Sequence, residues 1–456
     1  MPAFLCGGTG WVYEVTMLQR VIFSAIASAA LSLGAIFGFS VLSGAVFTHD
    51  RAQSVVLHAL ATNSLLWNDR RDEDLFTECA MLQMQLLRPK DAWTAALDTR
   101  FLMRDSDHPC ATLVRTVMRI DLESMPPARS YFNYPYGPRH IEAAVLSLIR
   151  YPAAVNLYYA LSYGSLALLL GVMLWRDREF GILLSPLPIV LSLGFSLHLF
   201  GGNLAHAPGY ILGWLELAAF VAALPWLRAF PRRVAVFIAI GFLAAYTDLL
   251  AGVTPTLLAL TIVLNHFFYV HRRPERYLQR TAVNALAICA CFVLASLLLN
   301  GSRLALLAAQ GVTADGHSLF GTFWSNLMSK SATDIGLSAP LTIPVVLDRL
   351  WEARRQLTYG DELFATVLLG IGALSWLVAT ILSAFATRTV QADILILGAA
   401  SLGIFLWFAT LPAHTHVHAL FMVRLLALPC AFGACAVMLL LAGNKRFVWP
   451  ADRAAA

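Results

Sequence analysis

Residues 21–47 read VIFSAIASAALSLGAIFGFSVLSGAVF and are followed at once by Thr48-His49-Asp50-Arg51. No charged side chain interrupts the run, and a helix needs roughly 20 apolar residues to cross a bilayer. The run is too long for the apolar core of a cleaved signal peptide, so it reads as a retained anchor. Further apolar stretches follow at 153–175, 181–199, 209–229, 234–249, 254–270, 281–300, 363–386, 393–411 and 419–442. The strict alternation of a transmembrane β-barrel is absent. The fold class is an all-α polytopic membrane protein with about ten transmembrane helices.

Composition agrees. Of 456 residues, 59% are hydrophobic and 13% charged, and the mean hydropathy is +0.68. Soluble domains carry about 25% charged residues, so the chain lacks the solvated surface of an ordinary soluble enzyme. The same figures exclude a disordered chain, a disulfide mini-fold and a nucleic-acid-binding arm. The net charge of +5 is not a partner signal, because it reflects arginines gathered on one side of the membrane.

That gathering sets the expected orientation. Arg176, Arg178, Arg228, Arg232, Arg233, Arg272, Arg273, Arg276, Arg280, Arg388, Lys445, Arg446 and Arg453 fall on one side. The opposite short connections, 200–208, 250–253 and 412–418, hold no Lys or Arg. By the positive-inside rule both termini are cytoplasmic. The expected organisation is a cytoplasmic N-terminus at 1–20, the first span at 21–47 and a large extracytoplasmic loop at 48–152. Six spans over 153–300, a second outer loop at 301–362, three spans over 363–442 and a cytoplasmic tail at 443–456 complete it. The first loop carries 25 of the 59 charged residues and the second 11. Long loops of this kind are usually functional, and the first contains amphipathic stretches suited to the membrane interface. The expected location is a bacterial inner membrane with the active side outside.

Reactive side chains concentrate on that side. Of the seven cysteines, only Cys79 and Cys110 lie there, and in an oxidising periplasm they form a disulfide unless they stay separate thiols. Asp50, at the mouth of the first span, is a candidate general base, since a carboxylate beside Arg and His stays ionised. The alternative is an interfacial anchor. Glu78, which interrupts an apolar stretch, is the second candidate base. In Ser130-Tyr131-Phe132-Asn133-Tyr134-Pro135-Tyr136-Gly137-Pro138-Arg139-His140, the rings of Tyr134 and Tyr136 suit a sugar face. Arg139 and His140 suit a phosphate; an aromatic belt with an Arg anchor is the plainer reading.

The stretch His414-Thr415-His416-Val417-His418-Ala419-Leu420-Phe421-Met422-Val423-Arg424 opens the last span. On one helix, His414, His418 and Phe421 share a face and Arg424 lies roughly 10 Å deeper at 1.5 Å per residue. Arg at that depth costs about 2.5 kcal/mol or more unless paired or hydrated. A partner in Asp248 or Glu216, or an anionic lipid headgroup, would relieve it. Lys330 is a further cation on the second outer loop, and Asp248 a polar residue at a span end.

This layout resembles the GT-C superfamily of polyprenyl-phosphate-sugar-dependent glycosyltransferases, which carry long outer loops after the first and seventh spans. The resemblance is topological and runs through about residue 370. It implies an acidic base shortly after the first span, a position matched by Asp50. The paired-acid motif of the protein mannosyltransferases is absent there, since Arg51 follows. The segment His414 to Arg424 is also similar to uncharacterised bacterial multi-pass proteins with a His-Ser/Thr-x-x-His-x-x-Phe-x-x-Arg pattern.

The expected chemistry is substitution at an anomeric carbon, with an acceptor hydroxyl attacking while polyprenyl phosphate leaves. One base suffices, and Arg139, His140, Lys330, His414, His418 and Arg424 form the pool that neutralises the departing charge, with Asp248 near the acceptor. A divalent metal can replace some of these cations. The implied partners are a polyprenyl-phosphate-linked sugar, a glycan, lipid or protein acceptor, and membrane lipids. A transporter or flippase, an outer-face acyltransferase and an envelope-assembly scaffold are the competing readings.

Overall fold

In the computed structural model, the described residues are 8–62, 72–89, 91–101, 109–118, 129–130, 137–248, 252–271, 277–312, 318–332, 340–357 and 362–443. Apart from turns and short connections they are helical, with one two-residue antiparallel pairing, Arg100 with Ser130 and Phe101 with Arg129. Among them, eight helical segments are long and apolar enough to cross a membrane, which makes this a multi-pass membrane protein.

The first described element is α1 (Gly8–Val46), so the expected first span is the later part of a longer helix that also takes in residues assigned to the N-terminal tail. Among the described residues, the segment 48–152, expected as a loop, contains five helices. They are α2 (His49–Ala61), α3 (Asp72–Leu86), α4 (Ala92–Leu97), α5 (Pro109–Met118) and α6 (Gly137–Leu148). Phe47, Val56, Leu82, Leu113, Leu146 and Tyr158 close a core of their own there. A disulfide between Cys79 and Cys110 joins α3 to α5. Glu78 accepts a hydrogen bond from the Tyr151 hydroxyl and another from the Leu204 amide at 3.1 Å. These contacts seat the layer on the ends of the spanning helices, here termed the loop end; the opposite end is the arginine end.

Helix α7 (Tyr151–Arg176) returns across the bundle. The expected single span at 181–199 is instead three short helices, α8 (Arg178–Leu183), α9 (Pro186–Gly194) and α10 (Leu197–Phe200). Pro186 removes an amide where α8 stops, and Ser196 takes a left-handed φ of 50°, a conformation held only where the surroundings fix it. Phe195, wholly buried against Tyr210 at 4.9 Å between ring centroids, is part of what fixes it. The expected span at 209–229 is the shorter α11 (Ala207–Ala223).

Next come α12 (Phe230–Thr247), α13 (Val253–Asn265) and a π-turn at His266–Val270. The segment Val253–Val270 is 83% buried over its apolar window, against 6% for the first helix, so α13 is central and α1 peripheral. Helix α14 (Tyr277–Ala309) has 33 residues, about 50 Å at 1.5 Å per residue, and overruns the expected span at both ends. The second expected outer loop contains α15 (Leu319–Lys330) and α16 (Ile343–Glu352). The chain then crosses in α17 (Glu362–Ser383) and α18 (Arg388–Thr410). The expected last helix is broken: α19 (Pro412–Val417), α20 (Ala419–Met422), a 3-10 turn at Val423–Leu426 and α21 (Ala427–Gly443).

Candidate functional site

The largest gathering of expected site residues lies where α12, α13, α15 and α19 meet at the loop end. Asp248 follows the last turn of α12 and folds back over the start of α13. Its carboxylate accepts the amides of Val253 at 3.2 Å and Thr254 at 3.1 Å, which places an anion on a helix N-terminus. Gly252 makes this turn at φ 69°, and a Cβ there would stand 2.8 Å from the Leu425 side chain. The reversal therefore needs glycine both for its backbone and for the close approach of the last span.

Lys330 ends α15 within electrostatic range of Asp248, His414 and His418. The two imidazoles are 4.8 Å apart between centroids, edge to face. Burial pushes His414 down to about 3, with His418 and Lys330 adding to the effect. Burial and then Lys330 push His418 down to about 4. Both rings are therefore neutral near pH 7. This corrects their expected role as phosphate counter-ions: they can donate one hydrogen bond each, but the fixed charge belongs to Lys330. Burial raises the Asp248 carboxyl, offset in part by the bonds from Thr254 and Val253 and by Lys330.

Arg424, six residues after His418, is wholly buried, and Tyr210 is within electrostatic range of both it and Asp248. The breaks at His418 and Val423 remove the continuous helix on which its depth was reasoned. Instead its guanidinium faces the broken segment, 2.9 Å from the Phe200 ring centroid and 5.5 Å from that of Phe421. His206 packs on Phe421 at 4.9 Å, and His198 and Tyr210 are within electrostatic range of the guanidinium. Phe200 and Tyr210 were not among the expected site residues. The pair Gly201-Gly202, beside which the helix stops, was the available signal.

Arg139 and His140 are elsewhere. The Arg139 side chain donates to the Ala95 carbonyl at 2.6 Å and the Asp98 carbonyl at 3.3 Å. Arg303 donates to Leu97 O at 2.8 Å. Two cations thus serve the carbonyls that a helix C-terminus leaves unsatisfied. Burial and the nearby Arg303 bring Arg139 down to about 10, so it stays charged. His140 lies 3.2 Å from the Arg139 guanidinium through Nε2 and 3.2 Å from Ser43 Oγ through Nδ1. Arg139 can only donate, so Nε2 accepts and Nδ1–H donates to Ser43. Ser43 in turn donates to Ser40 O at 2.9 Å. Burial first, then Arg139 and Arg303, hold His140 well below the usual imidazole range. The pair is a buried structural relay and is not exposed to a phosphate.

Asp50 is exposed on the first turn of α2, whose main packing partners are α3, α5, α6 and α7. It is not brought to the Asp248 cluster. Glu78 is 7% exposed and bonded to Tyr151 and Leu204, which holds α3 on the spanning helices. Tyr134 and Tyr136 lie outside the described residues. Among the described residues no three His, Cys, Asp or Glu side chains gather to hold a metal ion.

A second polar cluster at the arginine end was not anticipated. Asp393, six residues into α18, receives His266 Nε2 at 2.8 Å, His271 Nε2 at 3.0 Å and the Tyr277 hydroxyl. An acid inside a span was the readable signal. No protein-family model matches this chain, and no curated protein or solved structure does.

Proposed function

We propose that this protein is a membrane glycosyltransferase that moves a sugar from a polyprenyl-phosphate carrier to an acceptor at the extracytoplasmic face of a bacterial inner membrane. The observation that carries the reading is the polar cluster at the loop end. A carboxylate, a lysine and two neutral imidazoles gather there, Tyr210 is within electrostatic range of both Asp248 and the buried Arg424, and apolar grooves flank the cluster. One groove of about 440 Å³ runs between α16 and α18 from Leu341 to Pro412. A second, of about 380 Å³, lies between α17, α18 and α21 around Trp376 and Cys430. Leu402 and Phe405 line both, so they succeed one another along α18 and end two residues from His414.

In this scheme Asp248, not Asp50, takes the proton of the acceptor hydroxyl as its oxygen bonds to the anomeric carbon. The bond from that carbon to the phosphate oxygen breaks, and the phosphate leaves with the electron pair. Lys330 and Arg424 offset its charge, while His414 and His418 donate neutral hydrogen bonds. A raised carboxyl pKa suits a base working near neutral pH.

The test uses the purified protein in nanodiscs with undecaprenyl phosphate, with native mass spectrometry for binding and a glycosyl-transfer assay for turnover. Arg424→Gln should weaken binding of the lipid phosphate relative to undecaprenol. Asp248→Asn should keep binding and lower turnover about 10²–10⁴-fold, the usual loss for a general base. Asp50→Asn should leave both unchanged. Equal retention of undecaprenol and its phosphate would overturn the proposal. The broken segment at 178–200 favours a second reading, a lipid flippase, because discontinuous helices are common in transporters. Transbilayer movement of the lipid without any transfer would select it.

A further inference from the structure

Helices α15 and α16 each leave an apolar stripe uncovered. On α15, Phe320, Trp324 and Met328 are 49%, 62% and 52% exposed. On α16, Ile343, Leu347 and Trp351 are 59%, 39% and 46% exposed. Residues four apart ride up one side of a helix, so each set is continuous. The opposite side of α16 carries Arg349 and Glu352, paired at 2.8 Å, with Val345 between them and Asp348 at their border with the stripe. Each helix is also tied to the protein by a separate edge. Leu319 packs with Leu304, Leu307 and Leu97, and Val346 and Leu350 are buried.

We infer that α15 and α16 lie in the bilayer interface at the loop end, with these stripes seated among lipid headgroups and upper acyl chains. The occupant follows from continuity. Helix α16 shares its groove with Leu402, Phe405 and Leu406 of the spanning α18. Leu402 and Leu406 are themselves 58% and 56% exposed, on a helix whose apolar surface faces lipid. The α16 stripe extends that surface. The segment is also held at both sides by spanning helices, α14 ending at Ala309 and α17 starting at Glu362. Each stripe carries one tryptophan, the side chain that prefers the membrane–water boundary. An amphipathic helix with one charged face and one apolar face lies in that plane.

The seating has a consequence for the site. Lys330, at the end of α15, is on the side of the helix that bears Leu319, facing Asp248 and the imidazoles. A lipid-seated stripe on one side therefore fixes the roll of α15 that turns Lys330 inward.

The experiment places single spin labels at Trp324→Cys, Met328→Cys, Leu347→Cys, Ser325→Cys and Asp348→Cys, with the free thiols replaced, in proteoliposomes. Power saturation compares collision with oxygen, which enters lipid, and with a nickel chelate, which stays in water. Labels at 324, 328 and 347 should favour oxygen, and those at 325 and 348 the nickel chelate. Nickel access at 324 and 347 equal to that at 348 would overturn the inference. Protection from both reagents, or spin–spin broadening relieved by dilution with unlabelled protein, would assign the stripes to a protein contact instead and overturn it equally. Leu347 and Trp324 are on different helices, so misfolding caused by one substitution does not remove the other measurement.

Discussion

The His271 amide donates to the His266 carbonyl at 2.9 Å, a bond that spans five residues and closes a π-turn. In a regular α-helix, residues five apart point in different directions. The wider π-turn brings them nearly into register, and here both Nε2 atoms reach the oxygens of Asp393. Such turns are rare and concentrate where a side chain has to be aimed. The carboxylate also accepts from Tyr277, and His266 Nδ1 is 3.1 Å from Thr281 Oγ1. One buried acid thus fastens α13, α14 and α18 together at the arginine end.

Removing that acid should loosen the bundle. Asp393→Asn keeps the shape, but its amide meets imidazole N–H donors. Hydrogen bonds to a buried charged group contribute about 1.5–3 kcal/mol each, and a clear fall in apparent Tm in detergent is expected. Tyr277→Phe removes one donor and should cost about 1–3 kcal/mol. A Tm for Asp393→Asn equal to that of the native chain would show that the cluster contributes nothing to stability.

Acid should weaken the protein through His414 and His418. Their folded values, about 3 and about 4, lie below the ordinary imidazole value of about 6.5. On acidification the unfolded chain takes up these protons first, so stability is full above about pH 6.5 and falls as pH drops toward the folded values. In a melting series from pH 7.5 to 4.5, H414Q should flatten the slope. An unchanged slope in the doubly substituted H414Q/H418Q chain would contradict the assignment.

Glu142 should act in the opposite direction. It is fully buried, and burial pushes its carboxyl up to about 8, with Glu78 adding and Gln85 and Arg139 opposing. The folded chain keeps a proton that the unfolded chain releases above about pH 4.5. Its contribution is therefore full below that value and is lost as pH rises through about 8. Glu142→Gln mimics the protonated form and should melt at the same or higher temperature at about pH 6.5, between these two values. A large destabilisation there would mean that the side chain is ionised when folded.

The Cys79–Cys110 bridge closes 31 residues of chain. On the loop-entropy model such a closure is worth about 3–4 kcal/mol. Non-reducing peptide mapping of membranes should recover the linked pair. Cys79→Ser should increase proteolysis within 48–152 while leaving the spanning helices intact.

The sequence alone determined the helical membrane class and most of the spans, and it offered the Cys79–Cys110 disulfide beside the alternative of two separate thiols; the structure joins them. A span is a local property, because in lipid each segment must satisfy its own backbone hydrogen bonds, and the length of an apolar run reports it directly. The cysteine pair was legible because only two thiols share one segment outside the spans. The tertiary structure alone decided what each polar side chain does. Arg139 reads from the sequence as a phosphate-binding cation, yet it donates to the carbonyls of Ala95 and Asp98, some forty residues back along the chain. Asp50 has the right position after the first span, but the carboxylate within electrostatic range of Lys330 is that of Asp248. Asp393 meets His266 across a separation of 127 residues. Burial, and with it the neutral state of His414 and His418, depends on which helices happen to pack over a group. No periodicity along one helix records that, because the screening and the partners come from chain far away in sequence.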